Sequence, residues 1–298
     1  MTTGARIARL PDRGVVRIEG PDAVTLLQGL VTQDLGLLQS QAAAYAGLLT
    51  PQGKVLFDFF IVRAGDGLLL DVAAAKEADL IKRLTLYRLR AKVTFAQAAD
   101  LVVLALWDGA EPVPPEGGLV FADPRLPGLG WRVIVPAAQA GTWSAASGRV
   151  VDIAEWHAHR VTLGVPEGGH DFVYGDAFPH EADMDQLAGV SFSKGCYVGQ
   201  EVVSRMQHRG TARKRLVQVT GAGPLVAGAA ITAGTANIGS ITSVAGAHGL
   251  ALVRLDRAAD LKAKGEALMA DGIAIELVKP AWATFDLVPP AREATHDL

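Results

Sequence analysis

Apolar residues alternate loosely along the first twenty positions (Ile7, Leu10, Val15, Val16, Ile18) around Pro11-Asp12-Arg13-Gly14. A two-residue period interrupted by turn formers predicts two strands joined by a turn. In GPDAVTLLQGLVTQDL the spacing changes. Val24, Leu27 and Val31 recur at helical intervals behind a Pro21-Asp22 start. The stretch AYAGLLTPQGKVLFDFFIVRAGDGLLLDVA returns to strand texture, broken at Thr50-Pro51-Gln52-Gly53 and at Gly65-Asp66-Gly67, so three short strands are predicted. A helix follows in AAKEADLIKRLTLYRLRAKV. Leu80, Leu84 and Tyr87 share a face there, and Lys76, Arg83 and Arg90 lie off it. LVVLALW and GWRVIV read as strands on either side of a loop marked by Pro112, Pro114 and Pro115. Strand–strand–strand–helix–strand in this order is compatible with a ferredoxin-like α+β unit.

Beyond residue 150 the pattern predicts one more helix, with Ile153, Trp156 and Arg160 at helical spacing, Asp152 as its cap and Gly164 and Pro166 as its end. GGHDFVYGDAFPHEAD is loop-like. Its His180, Glu181, Asp183 and Asp185 match neither a HExxH helix nor a calcium loop, so no metal site is expected from them. From Thr211 short β-branched runs alternate with glycine, which predicts a small all-β barrel. The charged stretch DRAADLKAKGEALMADG precedes its last hairpin, and the tail after Pro290 is expected to be loosely ordered.

Composition narrows the classes. The chain has 298 residues, half of them hydrophobic, with a net charge of -3. That is enough for two or three domains with a substantial core, and it argues against bulk nucleic-acid binding. The basic run at 212–217 reads as a solvated strand edge, so direct nucleic-acid binding is not expected. One cysteine excludes an internal disulfide and a cysteine-based zinc site, and suits a reducing compartment. The first residues lack the apolar core of a signal peptide, and no apolar run approaches a membrane span. A cytoplasmic protein is the expectation.

The lone cysteine is Cys196, in KGCYVGQE. Gly195 and Gly199 flank it, and Lys194, Arg205, Arg209, Arg213, Lys214 and Arg215 follow in a stretch whose single acid is Glu201. Positive surroundings favour a thiolate, whereas most lone cysteines are small buried hydrophobes. Three roles remain open for a functional thiol. It can be a nucleophile, with His208 as a distant candidate base. It can be one ligand of an iron–sulfur cluster completed by another chain. It can be a redox or sulfur-handling thiol, or a transient cluster contact, which is the preferred reading.

KGCYVGQE, with FPHEADMDQLAGVSF before it, resembles the signature of the YgfZ family. That family is a folate-binding-like, iron–sulfur-maturation branch of the group that includes the glycine-cleavage T-protein. LLTPQGKVLFDFFIV and LTLYRLRAKV extend the resemblance more weakly over most of the chain. It implies an α+β fold of three parts: a T-protein-like folate-binding domain (1–45 plus 150–210), a ferredoxin-like subdomain (46–149) and a C-terminal β-barrel (211–298). It implies tetrahydrofolate or a derivative as ligand, and iron–sulfur assembly proteins or client enzymes as partners. Cys196 and Lys194 are the candidate reactive residues, with Lys194 supplying charge to the thiol. Asp58, Glu181, Arg160, Tyr87, Gln200 and Glu201 are the candidate ligand-binding residues, Gln200 and Glu201 mainly as loop supports. A tetrahydrofolate-dependent aminomethyltransferase is the alternative. It is weakened because Phe57 fills one position of that enzyme's acidic pair and leaves only Asp58.

Overall fold

The structure, a computed structural model, describes residues 4–210 and 212–287. Its strands are β1 (Arg6–Arg9), β2 (Arg13–Glu19), β3 (Ala43–Leu49), β4 (Val55–Ala64), β5 (Gly67–Ala73), β6 (Thr94–Gln97), β7 (Leu101–Trp107), β8 (Leu119–Ala122), β9 (Trp131–Pro136) and β10 (Arg149–Val151), followed by β11 (Lys214–Gly221), β12 (Ala230–Ala233), β13 (Ala236–Ala245), β14 (His248–Arg254), β15 (Leu268–Ala270) and β16 (Ile273–Val278). The helices are α1 (Ala23–Gln28), α2 (Glu77–Arg88), α3 (Ala140–Ser147), α4 (Ile153–Thr162), α5 (Gln200–Arg209) and α6 (Leu255–Ala263). The tail after Pro290 lies outside the described residues.

Two five-stranded sheets form the body. One runs β10-β1-β7-β9-β8 and the other β3-β4-β5-β2-β6. Strand alternation decides which side chains meet between them. From the second sheet come Val15, Tyr45, Phe60, Val62 and Leu69, and from the first Val103, Ala105, Phe121 and Ile134, all in one core cluster. The opposite face of the second sheet buries Ile18, Phe59, Ile61 and Leu70 under α1 and α2. Ile7, Leu104 and Val133 do the same on the first, against Ala140 of α3. The result is four layers: helix, sheet, sheet, helix.

The first two strands are joined by a turn, as expected, but they do not pair with each other. β1 pairs with β7 and β10, whereas β2 pairs with β5 and β6. The turn at Pro11-Asp12 is a crossover between sheets. β6, with mostly exposed residues and little apolar period, was not anticipated. The sheets also cut across the expected boundaries at 45/46 and 149/150. β4, β5 and β6 are completed by β2 and β3 from upstream, and β7, β8 and β9 by β1 and β10. Hydrogen-bond partners, not sequence neighbours, define these units. The C-terminal strands close into a six-stranded barrel, β11-β14-β13-β12-β15-β16, with its own core.

The space between the sheets is unusual in its charge. Arg132 of β9 reaches across to Asp71 of β5 (2.7 Å) and back to Asp123 (3.0 Å). Arg13 of β2 holds the other oxygen of Asp71 at 2.7 Å, and Arg125 pairs with Asp123 at 2.8 Å. The Phe60 ring lies under the guanidiniums of Arg132, Arg125 and Arg13, at 4.1, 4.9 and 5.8 Å. Removing the central cation leaves Asp71 with Arg13 alone and Asp123 with Arg125 alone, in a buried layer that has lost one positive charge. Arg132→Met is expected to lower stability by about 3–5 kcal/mol in urea unfolding. A loss below about 1 kcal/mol would show that these charges do not hold the sheets together.

Candidate functional site

Lys194 and Tyr197 are buried, and Gly195 and Cys196 between them are exposed. The loop is therefore pinned on both sides of its apex. On the near side, the Lys194 ammonium donates to the carbonyls of Gln28 (2.7 Å), Val31 (2.6 Å) and Gln33 (3.1 Å), where α1 ends. A cation suits carbonyls left open at a helix C-terminus. Burial pushes the Lys194 pKa down to about 8, and neighbouring Asp34 works in the opposite direction. The preceding residues are stitched to the same segment. Ser191 N–H donates to the Thr32 carbonyl, Thr32 Oγ1 to Gly189 O, and Gln33 Nε2 to Ala188 O.

On the far side, Gly199 caps α5 with a φ of +82°. A β-carbon at Gly199 would lie 2.5 Å from the Thr50 carbonyl oxygen and 3.0 Å from Gly53 Cα. Gly53 is itself at φ +81°. Only two residues without side chains allow this approach. The β3–β4 turn and the KGCYVGQE loop, far apart in the chain, thus touch backbone to backbone. Gln200 and the exposed Glu201 open α5 beside that contact.

This geometry changes the role expected of Lys194. Its ammonium is committed to three backbone carbonyls, so it anchors the loop instead of supplying charge to the thiol. On α5, Arg205 and Arg209 are exposed cations next to the loop in sequence. His180 does not join an acidic metal cluster. It is buried, within 3.0 Å of Gln207 Oε1 on α5. Asp183 and Asp185 bind Arg215 of β11 and so tie the loop region to the barrel.

The remaining candidate residues do not converge. Asp58, on the inner face of β4, accepts from Tyr45 Oη (2.8 Å) and Tyr174 Oη (2.5 Å) and is buried. Burial and the Asp58 charge both raise the pKa values of the two phenols, so they stay protonated as donors. Arg160, on α4, is buried against Asp171 (2.5 Å) and Glu167 (3.3 Å) and donates to Ser243 Oγ of the barrel (3.0 Å). Tyr87, a residue of α2, packs against the outer-face cluster of the β4 sheet, and the sheet separates it from Asp58. Glu181 accepts from the Phe178 N–H (2.9 Å) and shapes its own turn. Phe57, beside Asp58 in sequence, points into the outer core. The Asp58 carboxylate is capped by two phenols, and Arg160, Tyr87 and Glu181 are each engaged elsewhere. Sequence reading missed Tyr45 and Tyr174, and with them Arg13, Asp71, Asp123, Arg125, Arg132, Glu167 and Asp171.

Comparison with known proteins follows these features. Residues 213–285 match the family model described as CAF17, C-terminal beta-barrel domain, which coincides with the closed barrel. The chain is 36% identical over 282 residues to the human mitochondrial iron–sulfur cluster assembly factor IBA57, covering 85% of this chain and 79% of the human protein. It is 38% identical over 230 residues to the Mycosarcoma maydis homolog, covering 72% of this chain but 57% of that longer protein. The mouse factor is 34% identical, with 83% and 76% covered. Among solved structures, the glycine cleavage system aminomethyltransferase T of Bartonella henselae superposes with a TM-score of 0.77, over 95% of this chain and 87% of that one, at 18% identity. That likeness establishes a T-protein-like fold. The expectation of a cytoplasmic protein does not survive, because these relatives are mitochondrial factors. Among the described residues, no helix is long and apolar enough to cross a membrane.

The anchoring role of Lys194 has a direct test. Lys194→Met is expected to cost about 1–3 kcal/mol, since three carbonyls lose their donor. The native Cys196 thiol should react with a disulfide reagent at a rate within about threefold of wild type. A tenfold slower thiol in the variant would put the ammonium back beside the sulfur.

Proposed function

The chain belongs to the family of the iron–sulfur cluster assembly factor IBA57, and from that premise we propose that it serves iron–sulfur cluster assembly by presenting Cys196 to a partner that carries the cluster or its sulfur. The observation that supports this most is the shape of the loop. In a chain with one cysteine, the thiol stands at an exposed apex whose two flanks, Lys194 and Tyr197, are fixed in the protein. A single thiolate cannot complete a cluster that needs four ligands. The partner therefore supplies the others, and this chain contributes one ligand or a transient sulfur contact. The resemblance of KGCYVGQE to YgfZ proteins points the same way. Exposed Phe192, together with the exposed Arg205 and Arg209 of α5, gives a partner an apolar and a cationic foothold close to the thiol in sequence.

The one-carbon transferase alternative draws its support from the fold. Tetrahydrofolate remains a property of the fold group in this reading, and we assign no folate contact to Asp58, Arg160, Tyr87 or Glu181. Asp58 accepts from Tyr45 and Tyr174, and its chain neighbour Phe57 packs on the opposite face of the sheet.

Two substitutions separate the readings. In cells lacking the endogenous factor, Cys196→Ala is expected to abolish recovery of cluster-dependent enzyme activity while the purified protein stays folded. Asp58→Asn is expected to keep most of that recovery. Full recovery by Cys196→Ala, with loss in a folded Asp58→Asn protein, would move the chemistry to the interior and restore the transferase reading.

A further inference from the structure

Three side chains outside the Cys196 loop come together from three separate segments. Asp12 lies in the crossover between β1 and β2, His157 on α4, and His170 in the loop that follows α4. Their ligand atoms all fall within 4.8 Å of one another. Asp12 Oδ2 is 3.2 Å from His170 Nε2 and 3.5 Å from His157 Nε2, and the two imidazole rings are 4.7 Å apart. Nitrogen and oxygen ligands at about 2.1 Å from a tetrahedral cation stand about 3.4 Å from each other. The observed spacings are those of a ligand set already drawn together.

We propose that Asp12, His157 and His170 form a binding site for a divalent first-row transition cation of the zinc class. Two imidazoles and one carboxylate suit such ions and do not suit calcium or magnesium, which prefer oxygen ligands. The surroundings supply the outer support a metal-bound histidine needs. When His157 Nε2 binds a cation, the ring proton sits on Nδ1. Glu167 Oε2 lies 3.9 Å from that nitrogen, is buried, and has no hydrogen-bond partner among the described residues. Carboxylate–histidine–metal relays place an acceptor at this position. Arg160 Nε now donates to His157 Nδ1 at 3.1 Å and stands 3.3 Å from Glu167 Oε2. Loading the site requires Arg160 to settle fully on Glu167. The second oxygen of Asp12 is also buried without a partner among the described residues.

The site is reachable from outside. The side chains of Asp12, His157 and His170 are 29%, 23% and 42% exposed. Three protein ligands leave at least one coordination position for solvent. A bound cation would clamp the crossover between the sheets to α4 and to the 168–172 loop. Neighbouring Asp171 and Arg160 already hold Thr242 and Ser243 of the barrel. Occupancy therefore adds stability to the junction of all three layers of contact, by the ordinary linkage between binding and folding.

The test uses the full chain, freed of metal by dialysis against a chelator and titrated with zinc ion alone. One ion per chain is expected, with a rise in the thermal midpoint, and cobalt(II) substituted for zinc should give visible absorption of a nitrogen–oxygen site. His170→Ala, at an exposed position that leaves the fold intact by circular dichroism, should weaken binding at least tenfold, and Asp12→Asn likewise. His208→Ala and Cys196→Ala should bind as wild type. Absence of binding, or binding that survives both His170→Ala and Asp12→Asn, would overturn the proposal. So would binding lost in Cys196→Ala, which would identify the thiol as the ligand.

Discussion

The two sheets are joined across a layer of paired charge, and most of the molecule is arranged around it. Arg13, Arg125, Arg132 and Arg160 face Asp71, Asp123, Glu167 and Asp171, four cations against four anions, all buried. Taking any of these ions out of water is expensive, and pairing offsets that only when the geometry is good and the remaining donors and acceptors are met. Here the pairs are short, and for two of the acids pairing outweighs the cost of burial. The Asp123 and Glu167 carboxyls are held down to about 2 by their guanidinium neighbours, against the upward push of burial. An apolar interface would let the sheets slide over one another. A chain of fork-shaped guanidiniums between carboxylates admits one register, because a shifted strand would leave an ion unpaired.

That layer reaches the functional loop by way of the barrel and the second sheet. Arg160 and Asp171 extend it to Ser243 and Thr242, which seats β13 against α4. Gly164, at φ +77°, brings the end of α4 against Gln218 and Pro280 of the barrel. β11 of the barrel carries Arg215, which grips Asp183 and Asp185 just ahead of the KGCYVGQE segment. From the other direction β3 and β4 carry the Thr50–Gly53 turn on which Gly199 rests. The exposed thiol is thus held out by a loop whose every approach is tied to the rigid body.

Local signals in the sequence were enough for many of the elements, though not for β6, α3, α5 or α6, and not for the strands' partners. The three strands between residues 43 and 73, α2, the Asp152 cap and the barrel all follow from period and punctuation. Asp152 accepts from the Ala154 N–H at 2.8 Å, as its residue type suggests. The parting of β1 from β2 is invisible locally, since a hairpin and a crossover share the same turn residues. The charge layer did leave a trace: Asp58 in VLFDFFIV, Asp71 in LLLDVA and Arg132 in GWRVIV are lone charges inside apolar strands. A charge there must be paired or functional. Nothing in one segment says which charge in another will meet it. The Cys196 loop was legible because its residues are contiguous, whereas Asp12, His157 and His170 have no shared spacing to read.

Asp58 faces the interior between the sheets. It sits between two phenols that donate one to each of its oxygens, with Gly168 so close that a β-carbon would sit 2.6 Å from Asp58 Oδ1. The strand alternation that turns Asp58 inward turns Phe57 outward, so an acid at 57 could not join it on the same face without a change in the strand. The interior of this T-protein-like body is filled by internal pairs, and that makes it rigid. That rigidity supports the proposal that Cys196 is presented to a partner, because a thiol on a fixed apex keeps its bearing.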